Sequence, residues 1–228
     1  MKILHLYPNL MNLYGDYGNL TVLKRHLEDQ GVKVKIEAKE VSESIDFDRY
    51  DMIYMGSGTE NNLMVALDSL MVYKHYLKKA IENDKVVLFT GNAMELMGKK
   101  IDDKEALGLV DFTVETTDRR YTGDVIVHSD VIGDVVGFIN RSTLISGGEG
   151  NKLFTYEFRY ETLKDNDYEG YRYRNLFGTH IIGPVLVKNP CFMRKIVSLL
   201  LKGDVKDITY PLEEDAYQTT LTQLKKRK

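Results

Sequence analysis

Much is scarce in this chain of 228 residues, and each shortage closes a route. A single cysteine, Cys191, excludes an intramolecular disulfide and fits a reducing compartment. Together with five scattered histidines it gives no metal-ligand spacing, so neither a metal nor another cofactor is expected. No apolar stretch reaches the roughly 18–20 residues needed to span a bilayer. Residues 1–9 begin like a secretion signal, but His5, Pro8 and Asn9 interrupt the apolar run. That segment reads as a first strand, and a cytoplasmic location is expected. Positive charge is not in excess: 31 Lys and Arg stand against 34 Asp and Glu, a formal net charge of −3. The chain therefore lacks the basic face that a general nucleic-acid binder needs to displace counterions.

What is present is an alternation of strand and helix patterns. Residues 2–7 are largely apolar and are followed by a turn-rich loop over 8–19. A helix is expected over 20–30, with Leu20, Leu23 and Leu27 on its buried face and Gly31 ending it. Alternating Val and Lys over 32–36 predicts a half-buried strand near an edge. Residues 51–55 form a short apolar strand that stops at Gly56-Ser57-Gly58. A long helix over 62–82 follows, with Leu63, Leu67, Leu70, Leu77 and Ile81 in phase. Residues 85–90 are apolar nearly throughout, as expected of a central parallel strand. The expected fold is α/β, a mainly parallel sheet flanked by helices.

The second half changes character. Short alternating strands over 112–116 and 124–128 with Gly-containing turns predict an antiparallel extension. An apolar strand over 176–182 stops at Gly183-Pro184, and Pro190 starts a helix burying Phe192, Ile196, Leu199 and Leu200. With no linker or composition break, one domain over 1–205 is expected. A partly helical tail over 206–228 follows, its Lys-Lys-Arg-Lys end solvated.

The chemistry centres on residues 86–98, an apolar run that breaks at Thr90-Gly91-Asn92 and resumes as a helix-compatible segment. Strand, sharp turn and helix make a nucleophile elbow, with Thr90 and Gly91 at its apex. Gly56-x-Gly58 has three readings: a phosphate cradle, a source of N–H donors for an oxyanion, or a tight turn. Cys191 is either a thiol activated at a helix start or a small core residue. His180 is either a site residue or a hydrogen-bonded packing residue. Glu60 and Glu95 are candidates for polar contacts in the sheet-end pocket, and no spacing argument places them side by side.

Four ordered stretches carry a resemblance. Residues 12–20 read Asn-Leu-Tyr-Gly-Asp-Tyr-Gly-Asn-Leu. Residues 56–60, 136–140 and 169–190 are similar to Gly-Gly-Gly-Gln-Asp, Gly-Phe-Glu-Asn, and Glu-Gly followed by Gly-Thr-Tyr-Leu-His-Gly-Pro segments. The chain thus resembles cobyric acid synthase-type (CobB/CobQ-like) class I glutamine amidotransferases, most of all the amidotransferase subunit of lipid II isoglutaminyl synthase. The resemblance implies a flavodoxin-like fold and a Cys–His thioester mechanism whose ammonia passes to a Mur-ligase-like partner. It also places the family Cys at Gly91 and the family His at Ile182. Both catalytic side chains are replaced, which points to a degenerate subunit. Gly56, Ser57, Gly58 and Asn92 are the candidate ligand-binding residues, for glutamine or a related small molecule. Two alternatives stay open: an amide hydrolase using displaced residues Thr90 and His180, and a small-molecule sensor or scaffold.

Overall fold

The computed structural model describes residues 1–163 and 166–227. Lys228, the last residue of the basic end, lies outside the described residues. The parallel half contains β1 (Lys2–Leu6), α1 (Tyr17–Asp29), β2 (Lys35–Lys39), β3 (Met52–Met55), α2 (Glu60–Met71), α3 (Lys74–Glu82) and β4 (Val86–Thr90). Two short pieces, β5 (Lys100–Ile101) and β6 (Lys104–Glu105), lead into β7 (Phe112–Ser129), β8 (Gly133–Gly147), β9 (Lys152–Arg159) and β10 (Tyr168–Tyr173). The chain returns through β11 (Leu176–Thr179), β12 (Ile181–Ile182), α4 (Val185–Lys188), α5 (Pro190–Leu200) and α6 (Pro211–Lys225).

One sheet runs in the order β12-β8-β7-β9-β10-β11-β4-β3-β1-β2. From β11 to β2 it is parallel, and from β10 to β12 it continues antiparallel, so the expected extension joins the same sheet. Side-chain alternation divides the core. Leu4, Ile53, Val87 and Phe89 pack with Leu63, Leu67 and Leu77 of α2 and α3. Ile3, Met52, Tyr54 and Leu88 pack with Leu20 and Leu23 of α1 and with Phe192 and Ile196 of α5. Both faces of β4 are covered, which is why its sequence is apolar from Val86 to Phe89.

Several elements differ from the sequence reading. The helix expected over 62–82 is broken at Val72-Tyr73, where Tyr73 leaves helical geometry (φ −104°, ψ 2°). The hydrogen bonds Tyr73 N–H to Leu70 O and Leu77 N–H to Tyr73 O bridge the break, so the apolar stripe keeps its phase and hides it. The edge strand β2 lies three residues later than expected, because Val32 N–H still bonds back to Leu27 O at the end of α1. The strands expected over 112–116 and 124–128 are one strand with a register shift between Thr116 and Tyr121. Gly123 is not a turn residue there. A Cβ on it would lie 2.8 Å from Tyr160, whose ring lies against the strand. The strand expected over 176–182 is interrupted at His180: β11 pairs with β4, and β12 pairs with β8.

The tail is also more ordered than expected. Helix α6 buries Tyr217, Leu221 and Leu224 against Ile126 of β7 and Val136 of β8. Its N-terminal end is clamped to α1 through Glu213, which bonds Arg25 and the His26 imidazole. At the other end Lys225 and Arg227 pair with Asp134 and Asp124, so these two cations are not simply solvated. Among the described residues no helix is long and apolar enough to cross a membrane, and no group of three His, Cys, Asp or Glu side chains is placed to hold a metal. Leu221→Ala is expected to lower the unfolding free energy by about 2 kcal/mol, measured by urea denaturation. An unchanged midpoint would contradict the packed docking of α6.

Candidate active site at the elbow

The elbow stands where β4 ends. Thr90 is the last strand residue, and Gly91 opens a 3-10 helix, Gly91–Met97, in place of the expected α-helical start. Gly91 has φ +59°, a left-handed conformation that glycine adopts without penalty. A Cβ built on Gly91 would lie 2.5 Å from both Cβ and Oγ of Ser57, and 3.1 Å from Cγ2 of Ile182. Side chains at 57 and 91 therefore exclude one another in this geometry. The apex faces Ile182, so the two positions that the resemblance assigns to Cys and His do meet. They meet as a glycine and a buried isoleucine.

Two of the neighbouring N–H groups are already engaged. Ser57 N–H donates to Asp16 Oδ2 at 2.6 Å, and Gly58 N–H donates to Asn92 Oδ1 at 2.9 Å. Asn92 closes the clasp by donating from Nδ2 to Gly58 O at 2.9 Å, and Ser57 Oγ donates to Asn92 Oδ1 at 3.2 Å. The N–H of Asn92 belongs to the first turn of the 3-10 helix, where backbone donors have no intrahelical acceptor. Gly56 serves close approach: a Cβ there would lie 2.8 Å from Met11 O.

Below the elbow lies a buried polar network. Thr90 Oγ1 bonds Tyr54 Oη at 3.0 Å and donates to Asp16 Oδ2 at 3.2 Å. Asn19 Nδ2 donates to Tyr54 Oη, while Asn19 Oδ1 accepts from Leu186 N–H, which ties α1 to α4. Asp16 is fully buried, and among the described residues its Oδ1 has no hydrogen-bond partner. Burial pushes the Asp16 carboxyl up to about 6, against the opposing pull of its bonds from Ser57 and Thr90.

A second network lies beside the first. His180 Nε2 is hydrogen-bonded to Glu95 Oε1 at 3.0 Å, and Thr143 Oγ1 donates to the same oxygen at 2.7 Å. Glu169 accepts from His180 N–H and from Thr179 Oγ1, both at 2.7 Å. Burial raises the Glu169 carboxyl, and the nearby charges of His180 and Arg141 oppose that rise. Arg141 itself lies over the Tyr121 ring and donates to Thr143 O. The candidates Thr90 and His180 thus belong to different networks, and no hydrogen bond joins them. The break between β11 and β12 falls on His180, so it does not follow the strand alternation that would align it with Ile182.

Between the elbow and β8 is a cavity of about 210 Å³. Its wall includes Ser57, Gly58, Asn92 and Glu95 from the parallel half, and Asn140 and Thr143 from β8. Glu60 and Glu95, which sequence spacing could not bring together, both line it. Cys191 is remote from it. Its Sγ donates to Asp134 O at 3.1 Å, and burial pushes the thiol up to about 11, the opposite of activation. Sequence reasoning missed Asp16, Tyr54, Thr143 and Glu169. Asp16 and Glu169 sit inside quoted motifs, whereas no sequence signal marks Tyr54 or Thr143.

A model of the CobB/CobQ-like glutamine amidotransferase domain matches residues 2–190. Subunit GatD of lipid II isoglutaminyl synthase (glutamine-hydrolyzing) from Staphylococcus aureus is 34% identical over 197 residues, covering 83% of this chain and 79% of that one. The Streptococcus pneumoniae GatD subunit is 30% identical over 225 residues, covering 94% and 86%. A solved glutamine amidotransferase superposes with a TM-score of 0.58 at 15% identity, covering 86% of this chain and 98% of that one. Another, from Thermotoga maritima, gives 0.57 at 10%, covering 99% and 92%. The two structures share the class I amidotransferase fold with this chain.

Gly91→Cys is expected to cost about 2 kcal/mol from crowding and left-handed strain. Ser57→Gly in the same chain should recover most of that loss, read as a coupling energy in a double-mutant cycle of melting curves. Additive effects would contradict the shared space. The buried Asp16 gives a pH signature. Its folded pKa of about 6 lies above the ordinary 3.8, so the folded state holds its proton more tightly. Stability should therefore fall as pH rises from about 4 to 6, by up to about 3 kcal/mol. Asp16→Asn should remove that slope in urea denaturation, and an unchanged slope would refute the assignment.

Proposed function

We propose that this chain, which belongs to the CobB/CobQ-like glutamine amidotransferase family, is a subunit that does not hydrolyse glutamine by the thioester route and acts by docking on a Mur-ligase-like synthetase. The observation that carries the reading is the apex. Gly91 offers no nucleophile, and Ser57 occupies the space that a nucleophile's Cβ would need. The thioester route begins with attack by a thiolate on the amide carbon and requires a base to move protons. Residue 182, which faces the apex, is an isoleucine and cannot take a proton. Two of the candidate oxyanion donors, Ser57 N–H and Gly58 N–H, are committed to Asp16 and Asn92. A site with no nucleophile at its apex, no base facing it and two of its three candidate donors occupied lacks what that mechanism needs.

The partner half of the reading rests on the relatives. Both GatD proteins are named as subunits of a synthase, and they align with 83% and 94% of this chain. The intact sheet, the clasped loops and the cavity are what a docking subunit would retain once hydrolysis is lost. The test is release of ammonia from glutamine by the purified protein, alone and with a Mur-ligase-like synthetase. No release above the buffer rate is expected, together with co-purification of the two chains. Glutamine-dependent release abolished by Thr90→Ala or His180→Ala would overturn the reading in favour of a hydrolase built on displaced residues.

A further inference from the structure

A second cavity lies away from the elbow, where β7 turns into β8. Its volume is about 280 Å³, and its wall includes His128 and Ser129 of β7, Asp130 of the turn, Lys152 and Thr155 of β9, and Arg172 of β10. None of these residues lines the elbow cavity. The sheet order β7-β9-β10 brings them together from three neighbouring strands. Thr155 pairs with His128 across β7 and β9, and Lys152 pairs with Tyr171, the residue before Arg172. Three side chains that can carry positive charge therefore meet at one opening, in a chain whose net charge is −3.

These charges are not balanced within the fold. His128 Nδ1 is 2.8 Å from Asp134 Oδ1, and its Nε2 is 3.5 Å from Asp130 Oδ1. Only the imidazolium donates from both nitrogens. The hydrogen bond to Asp134 raises the His128 pKa, against partial desolvation. Asp130 lines the cavity and Asp134 does not, so the Nε2 edge of the ring faces the opening. Asp134 is also shared with Lys225, whose Nζ is 3.4 Å from Oδ2. Among the described residues neither Lys152 nor Arg172 makes an ion pair. Arg172 is held from its inner end: Nε donates to Arg174 O at 3.1 Å, and the guanidinium lies over the Phe177 ring. Four cationic groups, counting Lys225, thus stand against the two carboxylates Asp130 and Asp134. A guanidinium fork, an ammonium and an imidazolium N–H approach from different directions. A tetrahedral oxyanion can accept from all three, whereas a carboxylate offers two oxygens in one plane.

We propose that this cavity binds a phosphate group, taken by Arg172, Lys152 and the Nε2–H of His128. Asp130 is the resident competitor. Its side chain is fully exposed, and its carboxylate stands at Nε2 and gives way as the phosphate enters. Inorganic phosphate and the phosphate of a small monoester share this chemistry. Val131, 45% exposed, and Leu153 edge the same cavity and offer an apolar surface to the organic part of a monoester. The site lies on the antiparallel extension and does not depend on the reading of the elbow.

The experiment uses the full chain with labelled histidine side chains and follows the His128 ring resonances by NMR, at a fixed pH below the His128 pKa. Sodium phosphate and phenyl phosphate are titrated separately, with sodium chloride and sodium acetate at matched ionic strength as controls. Saturable shifts with both phosphate compounds, and none with the controls, are expected. The compound with the lower half-saturation identifies the source, free anion or monoester. Arg172→Gln and Lys152→Gln should each weaken binding about three- to ten-fold, and added salt should weaken it further. Asp130→Asn should tighten binding about three-fold, a gain that a damaged fold would not produce. Shifts that fail to saturate with both phosphate compounds, or equal shifts in the controls, would overturn the proposal. So would unchanged binding in Arg172→Gln and Lys152→Gln, or no gain in Asp130→Asn.

Discussion

The site turns on a steric exclusion between positions 57 and 91. Two loops, one ending β3 and one ending β4, approach so closely that only one of these residues can carry a side chain. Here the side chain is on Ser57 and the vacancy is at Gly91. The left-handed backbone at Gly91 is kept, as a nucleophile elbow needs, but the apex presents only backbone. Everything nearby conforms to this choice. Asn92 folds back to clasp the Gly58 amide, Asp16 takes the Ser57 amide, and Ile182 closes the space from the far side. The cavity that remains is lined by carboxylates, amides and hydroxyls together with Arg120 and Arg141.

The scaffold around this altered centre is held by residues whose roles are structural. Asn19 connects Tyr54 to the backbone of α4. Asn189 donates to Val136 O and Val185 O and accepts from Val136 N–H, which fixes α4 and α5 against β8. Gly18 lies under Pro184, and a Cβ there would be 2.9 Å from that ring. Gly170, at φ +69°, allows β10 to approach the carbonyl of Gly178. These residues maintain packing rather than chemistry, so their presence does not depend on which side chain stands at the apex. A motif rich in such positions reports ancestry and fold more securely than activity.

The legible part of the sequence was the part governed by local rules. The apolar run of β4, the Leu20-Leu23-Leu27 stripe and the break at Thr90-Gly91 placed the parallel half, and the resemblance placed Gly91 against Ile182. The less legible part depended on distant partners. The kink at Val72-Tyr73 preserved helical phase, so periodicity could not reveal it. Gly123 looked like a turn and proved to be a contact for Tyr160, a residue 37 positions away. The Glu95–His180–Glu169 set joins residues up to 85 positions apart, from the elbow helix, β10 and the break after β11. No spacing rule covers that distance. The crowding of Ser57 on Gly91 is likewise invisible until the two loops are placed side by side.

The most direct test of shared space at the elbow is covalent capture by a thiol-reactive glutamine analogue in two variants. One carries Gly91→Cys and Ile182→His, and the other adds Ser57→Gly. The account predicts that only the second is labelled at residue 91, with both variants folded by circular dichroism. Equal labelling of the two, or a folded second variant that stays unlabelled, would contradict it.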